Sequence, residues 1–241
     1  MDLIVLGCSG SYPSPTSPCS GYLVRTGETT LWVDCGHGTF ANFQVHAEIE
    51  DLDAVIITHE HPDHFVDLYG LHVLMRYGLD LAGLPVFAPP GAEERLGGLV
   101  SQWGDTFEWN VISDDADAKI GDLAVRFSRT DHPPPTFAVE ISDDRRRLVY
   151  TADTGPDWTV GAFDPGADLV LSEATYQHAH RKAKLHLSAR QAGEAAQDAR
   201  AARLMITHLW PRLDPVVSVE EASEAFGQPV TLAAPHLVTR I

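Results

Sequence analysis

Thr58-His59-Glu60-His61-Pro62-Asp63-His64 is the stretch that decides this chain. It gathers three imidazoles and a carboxylate, at His59, His61, Asp63 and His64, into six residues. Those are the ligand types divalent zinc prefers. A turn can aim His59 and His61 at one metal while Asp63 and His64 face a second beside it. The chain has 12 His in 241 residues, so composition alone does not explain the cluster. Just upstream, Ala54 to Thr58 reads as a short, continuously apolar strand. Just downstream, Phe65, Leu68, Leu71, Leu74 and Met75 recur at a helical period, which predicts a helix from His64 to Tyr77. The cluster therefore hangs from the C-terminal end of a buried strand.

Outward from it, residues 2–7 read as an apolar strand followed by a Gly/Ser/Pro loop. Residues 21–26 and 29–35 read as two further strands, and Thr39 to Ala47 as a helix. Pro85 to Ala88 is an expected strand and Glu93 to Trp103 an expected helix. Strands dominate from Phe107 to Ala152, with Asp143-Asp144-Arg145 as a hairpin tip. Leu169 to Ser172, Leu204 to Thr207 and Val230 to Ala233 complete the strands. Ser188-Ala-Arg-Gln191 has the form of a capping box opening a helix to about Ala202. Ser218-Val-Glu-Glu221 is read as opening another. Strands followed by helices, twice over and without a long linker, suit one α/β domain spanning residues 1–241.

Composition narrows the partners. The formal net charge is -17, which favours solubility and works against binding a phosphate backbone, so nucleic acid is not an expected partner. Cys8, Cys19 and Cys35 match no disulfide framework or zinc knuckle. They suit a reducing cytoplasm, the expected location. The opening residues superficially resemble a lipoprotein signal ending at Cys8. Asp2 stands where a basic residue belongs, and the apolar run is short. No run is long enough to span a bilayer, so no membrane partner is expected.

Three more candidate ligands stand at strand ends: His132 in Thr-Asp-His-Pro-Pro-Pro, Asp153 in Tyr-Thr-Ala-Asp-Thr-Gly, and His208 in Ile-Thr-His-Leu. A strand end is a rigid platform from which a polar side chain enters a cleft. With these residues the chain resembles the metallo-β-lactamase superfamily, within it the tRNase Z-like phosphodiesterase branch, over nearly its whole length. The matching motifs are Leu31-Trp-Val-Asp34-Cys-Gly36-His-Gly38-Thr, then His59 to His64, His132, Asp153-Thr-Gly and His208. A further pair, Glu173-Ala-Thr175 and His186-Leu-Ser188, matches the phosphodiesterase branch.

The resemblance implies a four-layer αββα sandwich, two mixed β-sheets flanked by helices. It implies two zinc ions per chain, with manganese or iron as alternatives. His59, His61 and His132 would hold one ion, and Asp63, His64 and His208 the other, with Asp153 bridging them. Such a pair would share a hydroxide able to attack a phosphodiester. Asp63 would orient or deprotonate the attacking water, and Asp34 would sit behind a ligand imidazole and fix its tautomer. Glu173 and His186 would relay the proton to the leaving group. Arg181, Lys182 and Lys184, in the one locally basic stretch, are candidate phosphate contacts. A homodimer is also implied.

β-Lactam-cleaving relatives commonly place a Cys ligand where this chain has Asp153, so that activity is not expected. Full tRNase Z enzymes carry a long arm between the third and fourth motifs. Here a tight hairpin fills most of that interval. The expected substrate is a small phosphodiester, foremost a 3′,5′-cyclic nucleotide. The alternatives are tRNA 3′ processing, lactone or thioester hydrolysis, and a metal carrier without turnover.

Overall fold

The computed structural model describes residues 1–100, 102–180 and 184–241. Six strands begin the first sheet: β1 (Asp2–Gly7), β2 (Gly21–Arg25), β3 (Thr30–Val33), β4 (Ala54–Ile56), β5 (Leu84–Ala88) and β6 (Phe107–Val111). The second sheet holds β7 (Asp117–Ile120), β8 (Leu123–Arg129), β9 (Phe137–Ser142), β10 (Arg147–Tyr150), β11 (Leu169–Glu173), β12 (Leu204–Thr207) and β13 (Thr231–Leu232). The chain then returns to the first sheet as β14 (Val238–Arg240), antiparallel to β1. Each sheet has seven strands and is mixed, with parallel pairing along β3 to β6 and along β10 to β13.

Side-chain alternation builds the layers. Leu3, Val5, Tyr22, Val24, Leu31 and Val33 point inward, against Val125, Phe127, Val139, Ile141 and Tyr150 of the other sheet. The alternate residues Ile4, Leu6, Leu23, Trp32 and Val55 point outward under α1 (Thr39–His46), with α2 (Pro62–Phe65) and α3 (Leu68–Val73) following in the chain. After these come α4 (Ala92–Leu96) and, on the far side, α5 (Ala189–Asp198) and α6 (Pro215–Phe226), which cover Val149, Val170, Leu204 and Ile206. Both faces of each sheet are covered, which is why β1, β4, β11 and β12 are almost continuously apolar. The result is the expected sandwich of two sheets flanked by helices.

Several elements differ from the sequence expectation. The helix expected over His64–Tyr77 is interrupted at Val66–Asp67 and ends in a π-helical turn at Leu74–Leu79. Asp67 causes the interruption: its N–H donates to the Cys35 carbonyl at 2.8 Å, and its carboxylate accepts from Phe40 N–H at 2.7 Å. That second bond caps α1, whose N-cap residue Gly38 has no side chain to do so. α6 begins at Pro215 with Asp214 as its cap, so Ser218 lies buried inside the helix and does not open it. α5 ends at Asp198 and α4 at Leu96, both short of the expected ends. Strand β14 has only three residues, two of them exposed, and has no sequence signature of its own.

Gly36 shows how tightly the first sheet holds the histidine turn. A Cβ there would overlap the Asp63 carbonyl oxygen and lie 2.8 Å from Cys19 Cβ. Gly36→Ala is expected to cost about 1–3 kcal/mol through overpacking. A lowered urea midpoint at unchanged slope checks it, and an unchanged midpoint would mean the turn simply moves aside.

Candidate active site

All the strands that carry candidate residues end at one rim of the sandwich. β3 and β4 run parallel and deliver Asp34 and His59, while β10, β11 and β12 run parallel and deliver Asp153, Glu173 and His208. β8 is antiparallel to β9, and β9 to β10, so His132 leaves β8 at the same rim. Asp34, Ala152 and His208 take left-handed backbone conformations, with φ of 58°, 49° and 55°. Such residues turn the chain sharply at a strand end and are common where a site over-determines the backbone. Pro62 opens α2, and His61 is its N-terminal cap residue, so Asp63 and His64 project from one helical turn.

Two clusters result. In the first, His61 Nδ1 lies 3.0 Å from His59 Nε2 and 3.3 Å from His132 Nε2. Asp153 Oδ2 lies 3.5 Å from that His59 nitrogen and 3.9 Å from that of His132. In the second, His64 Nε2 lies 3.4 Å from His208 Nε2 and 3.6 Å from Asp63 Oδ2. Asp153 Oδ1 faces the same two imidazoles at 3.4 and 3.5 Å. A tetrahedral metal with bonds of about 2.0–2.1 Å separates its ligand atoms by roughly 3.3 Å. Both clusters have that spacing, and Asp153 turns one oxygen to each.

The remaining contacts suit the same reading. Asp153 Oδ1 is buried and makes no hydrogen bond among the described residues. The ring nitrogens of His59, His64, His132 and His208 that face away from the clusters are engaged. His64 Nδ1–H donates to Asp34 Oδ2 at 2.8 Å, His132 Nδ1–H to the Leu185 carbonyl at 2.8 Å, and His208 Nδ1–H to Thr175 Oγ1 at 2.9 Å. His59 Nδ1–H donates to Thr58 Oγ1 at 3.1 Å, and that hydroxyl donates to Asp34 Oδ2 at 3.0 Å. Bonds of this kind fix the tautomer and leave the inner nitrogen's lone pair for a metal. The two clusters are therefore able to hold metal ions.

Electrostatics separate the imidazoles. Burial and the neighbouring His64 hold His59 well below its ordinary pKa. Burial likewise lowers His61 and His132. His64 is equally buried, but Asp153, Asp34 and Asp63 surround it and raise it well above the ordinary value. Burial alone would raise Asp63 and Asp153, yet the facing imidazoles pull both below the usual carboxylate range.

His186 lies across the two clusters. Its ring centroid is 4.8 Å from that of His132 and 5.6 Å from that of His208, stacked on the latter at 19°. Its Nδ1 lies 2.9 Å from Glu173 Oε1. Burial would lower its pKa, but Glu173 and Asp153 outweigh that and raise it to about 9. Glu173 is fixed in turn by Thr154 N–H at 2.9 Å and by Thr175 Oγ1–H at 2.7 Å. The capping box read at Ser188 and Gln191 is present and anchors the loop that carries His186. Asp153, His186 and His208 also lie close enough to share an ion.

Arg181 and Lys182 lie outside the described residues. Lys184 is exposed. Three contributors went unassigned in the sequence. Thr175 links Glu173 to His208, Leu185 offers only its backbone carbonyl, and Asp131 accepts from Thr154 Oγ1 and Gly155 N behind Asp153. Asp131, beside His132 in Thr-Asp-His, and Thr175, inside the Glu173-Ala-Thr175 motif, carried a readable signal.

The family model described as "Beta-lactamase superfamily domain" matches residues 29–209. An uncharacterised protein of Mycobacterium leprae is 34% identical over 242 residues, covering 95% of this chain and 84% of its own length. The probable metallo-hydrolase YhfI of Bacillus subtilis is 30% identical over 214 residues, 87% of each chain. Its crystal structure superposes with a TM-score of 0.89 at 28% identity, over 99% of this chain and 98% of that one. Human tRNase Z, short form, shares the fold with a TM-score of 0.79 at 24% identity, over 100% and 99% of the two chains. With three quarters of its length inside that match and a metal-competent histidine–aspartate centre at the rim, the chain belongs to the beta-lactamase superfamily and is a metal-dependent hydrolase.

Proposed function

We propose that this chain is a dinuclear, metal-dependent phosphodiesterase acting on a small phosphodiester, most favourably a 3′,5′-cyclic nucleotide. The observation that carries this reading is the Glu173–His186 pair, 2.9 Å apart and lying across both clusters. A phosphodiester's alkoxide leaving group must be protonated, and an imidazole oriented by a carboxylate beside both clusters is placed to do it. His59, His61 and His132 are assigned to one ion, Asp63, His64 and His208 to the other, and Asp153 to both. Zinc is the first choice for such donors, with manganese or iron as alternatives. When bound, the pair supplies Lewis acidity to the phosphoryl oxygens and makes water acidic enough to attack near neutral pH.

The chain's own side chains do the rest. Asp63, the slightly exposed carboxylate of the second cluster, orients the attacking water and takes its proton. Asp34 holds the His64 imidazole in place from behind. As the new P–O bond forms and the old one breaks, His186 gives its Nε2 proton to the departing oxygen. Glu173 keeps the Nδ1–H edge of that ring fixed throughout. Lys184, which is exposed, is a proposed phosphate contact, as are Arg181 and Lys182. Between His132 and Asp153 the chain forms only the β9–β10 hairpin, and the net charge is -17, both of which favour a small substrate over tRNA.

Hydrolysis of 3′,5′-cyclic AMP by purified protein loaded with zinc or manganese tests the reading. AMP is the expected product. No turnover with two metals bound per chain would overturn the cyclic-nucleotide assignment, and precursor tRNA and an ester panel would follow.

A further inference from the structure

Beyond the Glu173–His186 pair, three aromatic rings form a row leading away from the clusters. Tyr176 meets His186 edge-on, with centroids 5.9 Å apart and planes at 84°. Trp210 lies 6.3 Å from Tyr176 at an interplanar angle of 29°. Tyr12 stands edge-on to Trp210 at 5.6 Å and 88°. All three are half-buried. Trp210 also borders a cavity of about 240 Å³ with Ser9, Leu209 and Pro211.

The row is assembled from three separate loops, those after β1, β11 and β12. Backbone bonds tie them together. Gly10 N–H donates to the Leu209 carbonyl at 3.0 Å, Trp210 N–H to that of Thr175 at 3.1 Å, and Tyr176 N–H to that of Leu187 at 3.1 Å. A side chain at position 10 would crowd the His208 carbonyl oxygen at 2.5 Å, so the loop after β1 lies directly against the ligand-bearing turn. The rings are thus held in place before any substrate arrives. Rings serving only to glue loops together would be buried; each of these keeps part of its surface accessible.

We infer that the Tyr176–Trp210–Tyr12 row is a stacking ledge for the nucleobase of the substrate. The inference rests on the phosphodiesterase reading and adds to it the residues that would recognise the base of a nucleoside phosphodiester. A phosphate at His186 places its nucleoside within reach of Tyr176 and Trp210. Aromatic faces accept any base, so the ledge selects nucleotides over sugar or lipid phosphodiesters without strong base preference.

The test is calorimetric titration of the metal-loaded protein with AMP and with ribose 5-phosphate, which differ only in the base. Wild type is expected to bind AMP about 5- to 100-fold more tightly. Trp210→Ala is expected to bring that ratio to within about twofold, and Trp210→Phe to keep most of it. AMP should also quench tryptophan fluorescence in the wild type but not in Trp210→Phe. Should Trp210→Ala not fold, Tyr12→Ala at the outer end of the row carries the test, with the ratio falling about threefold. Equal affinities in the wild type, or a ratio unmoved by these substitutions, would overturn the ledge while leaving the phosphodiesterase reading in place. If neither ligand binds and cyclic AMP is not turned over, both fall together.

Discussion

Asp153→Ala is expected to abolish turnover, by about 10⁴-fold or more, because it removes a donor from both clusters at once. Asp153 Oδ2 faces His59 and His132, and its Oδ1 faces His64 and His208. No other described carboxylate lies between the two groups of imidazoles. The loss should appear first as metal content, with fewer than two ions retained after dialysis. The seven-stranded sheets rest on apolar layers that do not include Asp153, so the far-ultraviolet circular dichroism should be unchanged. A variant that keeps both ions and turns over normally would remove Asp153 from the bridging position.

His186→Ala should lose about 10²–10⁴-fold in kcat while keeping both ions, as expected for a general acid. The loss should be largest for a poor alkoxide leaving group and much smaller for p-nitrophenolate, which departs without a proton. That contrast distinguishes an acid from a merely structural residue. It also decides between two geometries, because Asp153, His186 and His208 lie close enough to share an ion. We favour the acid because His186 Nδ1, 3.9 Å from Asp153 Oδ2, is already bonded to Glu173 at 2.9 Å. Loss of one metal equivalent in His186→Ala would make the residue a ligand instead.

Much of this was legible in the sequence, for identifiable reasons. Period-two and continuous apolar runs announced the strands because both sheets are buried on both faces. The histidine cluster was legible because its donors sit within one turn of chain. His132, Asp153 and His208 were legible only as strand ends, and their convergence needed the parallel order of β10, β11 and β12. The break at Asp67 was not legible, because it depends on Cys35 and Phe40, which are distant in sequence. Nor was the part played by Leu185, whose carbonyl accepts from His132: a backbone atom leaves no trace in residue identity. The aromatic row was equally hidden, since Tyr12, Tyr176 and Trp210 come from three loops that meet only in the folded chain.

The division of the candidate ligands between the sheets has a consequence for how the protein is made. His59, His61, Asp63 and His64 belong to the first sheet, and His132, Asp153 and His208 to the second. Neither sheet alone offers a complete set under the proposed assignment. As the chain emerges from the ribosome, the first half can present a histidine-rich turn but no working centre. Metal capture in its final form must wait until His208 has emerged and the two sheets have docked. Under that assignment hydrolytic competence is a late event of biosynthesis, and bound metal would act as a clasp that closes only on a correctly assembled molecule.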